Sequence, residues 1–290
     1  MGATDVCPLI PISGITMEET AAYAHKLGKR VGEELNIPVY MYESAEARPE
    51  RKNLATFRAG EYEGFFTKIN EREWHPDYGP STFNGVSGAT VIGARDFLIA
   101  YNVNLNTRSE RKANAVAFDV REKGRIKRIG NPVTGEILRD EKGEPVREEG
   151  LCKGVKAIGW YIAEYGIAQV SMNITDVNQT SLHQAFDACV QSAFSRGLRV
   201  TGSELVGLVP LQVMIDAGRY FLKKQGLSHA APDGELIHIA IKSMGLDELA
   251  PFDPRKKIIE YLLEEKDMNA LTSLTLAGFT EELASDSPAP

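Results

Sequence analysis

From Phe97 onward the hydrophobic period switches in a fixed order, and that order restricts the fold more than any other feature of the chain. Phe97–Leu105 alternates as a strand, and residues 108–123 carry the wider period of an amphipathic helix. Val155–Ala163 and Ile167–Ile174 are again strand-like, joined by the turn Tyr165-Gly166. Residues 180–195 return to the helical period, and Arg199–Leu205 closes the series as a strand. The order β-α-β-β-α-β predicts an α+β unit of the ferredoxin-like arrangement. Residues 124–150 interrupt it with Asn131-Pro132, Thr134-Gly135 and Lys142-Gly143, the composition of a solvated hairpin excursion.

The first 96 residues are less regular. Residues 5–12 predict a strand whose prolines suit a sheet edge. Thr16 followed three residues later by Glu19 forms a capping box, which starts a helix over 17–35 with Ala21, Ala24, Gly28, Val31 and Leu35 on one side. Pro38–Tyr42 predicts a second strand, and residues 43–75 two short helical pieces broken near Ala59-Gly60. A turn-rich stretch, His75–Gly88, leads to a short strand over Val91–Ala94. Helices are expected over 210–224, 234–245 and 255–264, and a linker helix from Lys266 on. A lone strand–helix–strand opening leaves a sheet half-built. The expectation is therefore two ferredoxin-like subdomains, the N-terminal one incomplete, with its first β-α-β missing and the apolar faces of strands 5–12 and 38–42 short of partners.

Two groups of residues carry chemistry. In the first strand of the regular unit, Phe97, Ile99, Tyr101, Val103 and Leu105 share a face, opposite Leu98, Ala100, Asn102 and Asn104. In the third strand, Ala168, Val170, Met172 and Ile174 oppose Gln169, Ser171 and Asn173. These strands are central neighbours in a ferredoxin-like sheet, whose helices cover one face. Asn102, Asn104, Gln169, Ser171 and Asn173 then form an uncharged hydrogen-bonding platform that suits a heterocycle or an amino acid and lines a cavity between subdomains. The same alternation also fits a plainly solvated sheet face. The second group is the loop Gly79, Pro80, Ser81, Thr82, Phe83, Asn84, Gly85, Val86, Ser87 and Gly88. Its glycines let a ligand approach the backbone, and Phe83 can cover a flat ring. An ordinary turn uses the same composition.

Several classes are excluded. A net charge of -7 gives no general attraction to nucleic acid or an anionic membrane. The third strand lacks the aromatic residues of RNA-binding versions of this fold. Cys7, Cys152 and Cys189 are odd in number and lack a Cys-x-x-Cys spacing, so neither a disulfide framework nor a zinc site is expected. The apolar run Val206–Ile215 is too short to span a bilayer, and the first residues lack the pattern of a secretory signal. These features predict a cytoplasmic protein. Of His25, His75, His183, His229 and His238, none has a metal-ligand spacing with another, and no metal is expected. His183 and Asp187, four apart on a helix, predict a surface pair. His75 is the histidine beside the glycine-rich loop.

The segments Met1-Gly-Ala-Thr-Asp-Val-Cys-Pro-Leu-Ile-Pro11, Arg58-Ala-Gly-Glu-Tyr-Glu63, Gly79-Pro-Ser-Thr-Phe83, Gly88-Ala-Thr-Val-Ile-Gly-Ala-Arg95 and Phe97-Leu-Ile-Ala-Tyr-Asn102 resemble the glutamate formiminotransferase family. So do Lys156-Ala-Ile-Gly-Trp-Tyr161, Gly202-Ser-Glu-Leu-Val-Gly-Leu-Val-Pro210 and Leu249-Ala-Pro-Phe-Asp-Pro254, and the resemblance runs in order over about residues 1–265. It implies two ferredoxin-like subdomains, 1–96 and 97–265, whose interface forms a folate tunnel, followed by a linker over 266–290. It implies transfer of a formimino group from 5-formiminotetrahydrofolate to L-glutamate in histidine degradation, with tetrahydrofolate as co-substrate and no metal. It places the loop Gly79–Gly88 on the family's folate-binding stretch. Folate and L-glutamate are the implied partners, with a homo-oligomeric assembly and neither nucleic acid nor membrane.

The family's general base is a histidine in a His-Pro-Arg segment just before Met-Gly-Ala. Met1 stands in that place here, so the resemblance assigns no catalytic residue within the chain and leaves His75 as a substitute. Thr272–Pro290 resembles the entry to a cyclodeaminase module. The expectation is thus a piece of a longer protein, possessing either transferase activity or folate binding alone. A ferredoxin-like amino-acid-sensing domain is the remaining alternative.

Overall fold

The computed structural model describes residues 2–131 and 134–264. The linker expected over 266–290 lies outside the described residues. Two units separate by contacts, Met1–Phe97 and Leu98 onward.

In the first unit, the capping box forms as the sequence requires: Thr16 Oγ1 accepts the Glu19 N–H at 3.1 Å and Glu19 Oε2 accepts the Thr16 N–H at 2.8 Å. Helix α1, Met17–Glu34, follows, burying Thr20, Ala24, Gly28 and Gly32 at every fourth position. Strands β1 (Val6–Leu9), β2 (Val39–Glu43) and β3 (Thr90–Ala94) form one sheet in the order β1-β3-β2, every pair parallel. Neighbouring strands of a ferredoxin-like sheet run antiparallel, so this sheet departs from the half-subdomain expected. The reason lies in the connections. The chain crosses from β1 to β2 through α1, and from β2 to β3 through residues 44–89, which hold helices α2 (Leu54–Arg58) and α3 (Glu61–Lys68). Crossovers return strands in parallel.

The crossovers also cover the sheet. Ala24, Val39, Met41 and Ile92 form a core on one face, with Cys7, Leu9, Leu27 and Val31 packed against it. Tyr40, Tyr42, Phe57, Phe65, Ile69 and Val91 form a core on the other, joined by Val6. Strand β2 is buried on both sides, as parallel strands are. The expectation that these strands lack apolar partners is therefore wrong. The break between α2 and α3 sits at Gly60, whose φ of 86° favours glycine.

The second unit begins with β4 (Ile99–Leu105) and α4 (Glu110–Val120). Residues 124–150 then form two short antiparallel pairs, β5 (Arg125–Ile126) with β8 (Arg147–Glu148), and β6 (Arg128–Ile129) with β7 (Glu136–Ile137). β9 (Val155–Ile162), β10 (Ile167–Ile174), α5 (Leu182–Phe194) and β11 (Val200–Val206) complete the unit's sheet. Strand order is β11-β4-β10-β9 with every pair antiparallel. Both helices lie on one face. Asn114 of α4 exchanges hydrogen bonds with the Gly159 backbone at 3.0 and 3.2 Å, and Cys189 of α5 sets its sulfur 3.8 Å from that of Met172. Helices α6 (Leu211–Lys224), α7 (Asp233–Met244) and α8 (Pro254–Lys257) follow. Among the described residues, no helix is long and apolar enough to cross a membrane.

Candidate functional site

The glycine-rich loop of the first unit leaves β2's flank at a heavily tethered root. Val39 N donates to Tyr78 O at 2.9 Å, and Asp77 N donates to Val39 O at 2.9 Å. The Tyr40 hydroxyl donates to Trp74 O at 2.6 Å. Asp77 Oδ2 accepts from Met41 N and from Arg51 Nη2, each at 2.8 Å, while its other oxygen pairs with Arg48. Arg48 and Arg51 both reach Glu46, at 2.9 and 3.5 Å. Burial works against ionisation of Glu46, but the side-chain and backbone donors of Arg48 outweigh it and hold the carboxyl below the usual range. Arg51 also lies over the rings of Tyr40 and Phe57 at 5.1 and 5.6 Å.

Close backbone approach fixes the next residues. A Cβ on Gly32 would stand 2.5 Å from Gly79 N, and one on Gly79 would stand 2.3 Å from Ile37 O. Helix α1 and the loop therefore touch through glycines. The ring nitrogen Nδ1 of His25 lies 3.0 Å from the Tyr78 hydroxyl, in hydrogen-bond contact.

Farther along, Phe83 is half-buried among aromatic rings. It sits edge-on to Tyr62 and Phe66, each at 5.4 Å between centroids, and tilted to Phe65 at 6.3 Å. The Tyr62 hydroxyl donates to Gly85 O at 3.1 Å. Asn84 Oδ1 accepts from Val86 N and Ser87 N, a turn that explains an asparagine there. Tyr62 and Phe66 were not singled out from sequence. Their signal was an i, i+4 aromatic spacing beside the loop, and Phe66 keeps 61% of its surface exposed. Ser81, Thr82, Gly85 and Val86 are exposed, Pro80 is half-buried, and Gly88 is buried with φ 67°. A Cβ on Gly85 would meet nothing within 4 Å. The His75 side chain is exposed at the loop root.

In the second unit, Asn102, Asn104, Gln169, Ser171 and Asn173 occupy the sheet face opposite α4 and α5. Gln169 pairs with Asn104 and Ser171 with Asn102 across the strands. Gln169 Nε2 donates to Asn104 Oδ1 at 2.7 Å, and Trp160 Nε1 donates to Gln169 Oε1 at 3.1 Å. Asn104 Nδ2 donates to Glu248 Oε2 at 2.5 Å, and Asn102 Nδ2 to Glu204 Oε2 at 3.3 Å. Asn104 and Gln169 are fully buried and Asn102 nearly so, whereas Ser171 is half-buried and Asn173 exposed. The expected uncharged platform thus carries two carboxylates. Glu204 was hidden from sequence reading because β11 was not placed beside β4's polar face. Glu248 was hidden because it follows α7. It reaches the sheet because Gly202 has no side chain: a Cβ there would stand 2.4 Å from Glu248 Oε2.

His183 does not form the expected pair with Asp187. Its ring stacks on Tyr220 at 4.3 Å and 23°, with Nε2 2.9 Å from Ser181 Oγ. Asp187 instead accepts from Tyr220 and from Lys224. Cys7, Cys152 and Cys189 are free thiols, and burial pushes Cys152 up to about 11. Among the described residues, no cluster of three or more histidine, cysteine or acidic side chains could hold a metal ion.

The family described as "Formiminotransferase domain" matches residues 100–264, and "Formiminotransferase domain, N-terminal subdomain" matches residues 1–95. The chain is 41% identical over 292 residues to formimidoyltransferase-cyclodeaminase of Dictyostelium discoideum. It is 42% identical over 291 residues to the Mus musculus protein of that name. Both comparisons span all of this chain and 50% of the relative, so the chain spans about half the length of these curated relatives. It is 36% identical over 229 residues to glutamate formimidoyltransferase of Streptococcus pyogenes serotype M1, which is 79% of this chain and 68% of that protein.

Proposed function

The chain belongs to the formiminotransferase family, and from that premise we propose that it transfers a formimino group between 5-formiminotetrahydrofolate and L-glutamate, in cytosolic histidine degradation, with Gly79–Gly88 contacting the folate. The observation that carries the second part is the build of the loop. Its root and its aromatic anchor are fixed by the protein itself, while the side chains of Ser81, Thr82 and Val86 and the open position at Gly85 are exposed. A rigidly held loop that leaves the Ser81 and Thr82 hydroxyls out of its own hydrogen bonds supports a ligand-binding role. Phe66 and Tyr62 supply the flat apolar surface beside it, and Phe83 keeps them in place.

The polar sheet face supports a second contact surface. Ser171, Asn173, Glu204 and the Trp160 indole are open to a small molecule, while buried Gln169 holds the indole N–H and Asn102 holds Glu204. Carboxylates on such a face suit the ammonium group of an amino acid or the N–H edge of a pterin ring, both donors. The antiparallel order β11-β4-β10-β9, with both helices on one face, supports reading this unit as ferredoxin-like.

The reaction needs a proton taken from the attacking amine and one returned to the leaving folate nitrogen. His75, the imidazole at the root of the glycine-rich loop, is a candidate for that exchange. Release of tetrahydrofolate from 5-formiminotetrahydrofolate on addition of L-glutamate, followed spectrophotometrically in the full-length protein, tests the activity. Folate binding without release would leave a binding module. A fall of about 100-fold or more in His75→Ala would assign the proton transfer to His75, and a change below about 3-fold would dismiss it.

A further inference from the structure

The first unit holds a cluster of ionic side chains beside its core. The side chains of Arg51 and Glu46 are only 3% and 4% exposed, and Asp77 is 19% exposed between Arg51 and Arg48. Buried ion pairs are poor stabilisers, because removing the charges from water offsets most of their attraction. What an ionic cluster adds is direction, since each carboxylate oxygen accepts from a defined donor.

Those directions converge on the root of the glycine-rich loop. Asp77 receives Met41 N of β2, Arg51 and Arg48, so the residue two before Gly79 is fixed from three sides. Arg51 Nη1 also donates to His75 O at 3.4 Å, which ties the other end of the root. Glu46 holds both arginines from behind, accepting from Arg48 N at 2.8 Å and from its guanidinium at 2.9 Å. The chain then passes through Tyr78 into the close contacts of Gly79 with Gly32 and Ile37.

We propose that Arg51, Asp77 and Glu46 are positioning residues for the folate loop: the cluster sets the direction in which Tyr78–Gly79 leaves β2, and so aims Gly79–Gly88 at the ligand. The inference rests on the reading of that loop as folate-binding. None of the three touches the reacting atoms. They act through the loop, where displacements of about 1 Å are enough to weaken binding or rate 10- to 100-fold.

The test uses the full-length protein, with tetrahydrofolate titrated calorimetrically and Tm recorded for each variant. Asp77→Asn removes the charge that both arginines share, Arg51→Met removes the fork but keeps the bulk, and Arg51→Lys keeps the charge without the fork. The expected result is a tetrahydrofolate Kd raised roughly 10-fold in Asp77→Asn and Arg51→Met, with Arg51→Lys in between and the KM for L-glutamate unchanged. If Asp77→Asn fails to fold, Arg51→Lys decides. Gly85→Val, made in parallel, separates the two levels of the argument. Should Gly85→Val weaken folate binding while the cluster variants lower Tm but keep the wild-type Kd, the cluster is only a staple and the inference is wrong. Should Gly85→Val also leave Kd unchanged, the loop itself is misassigned and the inference falls with it.

Discussion

Gly85 and Gly88 stand three residues apart in the same loop, yet they answer to different constraints. Gly88 is buried with φ 67°, in the left-handed region that β-branched residues avoid. Gly85 has no such φ and open space where a Cβ would go. Gly88→Val is therefore expected to destabilise the first unit by about 1–3 kcal/mol, read as a lowered Tm, whereas Gly85→Val leaves Tm unchanged. Equal loss in both would show that the loop geometry is wrong. Composition alone made the loop legible as a glycine-rich ligand stretch. It did not separate the strained glycine from the free one, because Gly88 is held both by its N–H bond to Asn84 O and by a bridge to Gly2, which is distant in sequence. The packing of Phe83 was not legible for a similar reason. An aromatic residue in a loop looks available until Tyr62, Phe65 and Phe66, from a separate helix, are seen around it.

At the level of elements, alternation of period two fixed which face of β4 and β10 meets the helices, because a slip of one residue would bury Asn102 and Gln169 under α4 and α5. The direction of β1, β2 and β3 was not legible, since it depends on which connections cross over rather than on residues within strands. One helix contact is unusually exacting. A Cβ at Gly159 would stand 2.1 Å from Asn114 N, so Gly159→Ala should force α4 off β9 and cost about 1–3 kcal/mol in chemical denaturation. A second prediction concerns α5 and α6. Burial holds His183 below its usual range, although Asp216 and Asp187 pull the other way, and Tyr220, Lys224 and Ser181 complete its surroundings. The folded state then favours the neutral ring, and below about pH 6.5 the unfolded chain binds more protons. Stability should rise with pH through the window just below 6.5 and fall on acidification. In His183→Gln this slope in Tm should disappear, and an unchanged slope would assign it to another group.

The molecule as a whole is acidic, with a formal charge of -7, so the proposed ligand, an anionic folate, would gain nothing from long-range attraction and would have to be recognised by local donors and shape. That places the weight of the account on one loop, held at its root by Asp77 and along its length by Phe83 and Asn84, with Gly85 at its open position. The measurement that bears on this most directly is a calorimetric titration of tetrahydrofolate into the full-length protein, wild type against Gly85→Val. The account predicts saturable binding by the wild type, weakened about 10-fold or more by the valine at unchanged Tm, equivalent to about 1.4 kcal/mol. Equal affinity in the two proteins would contradict it.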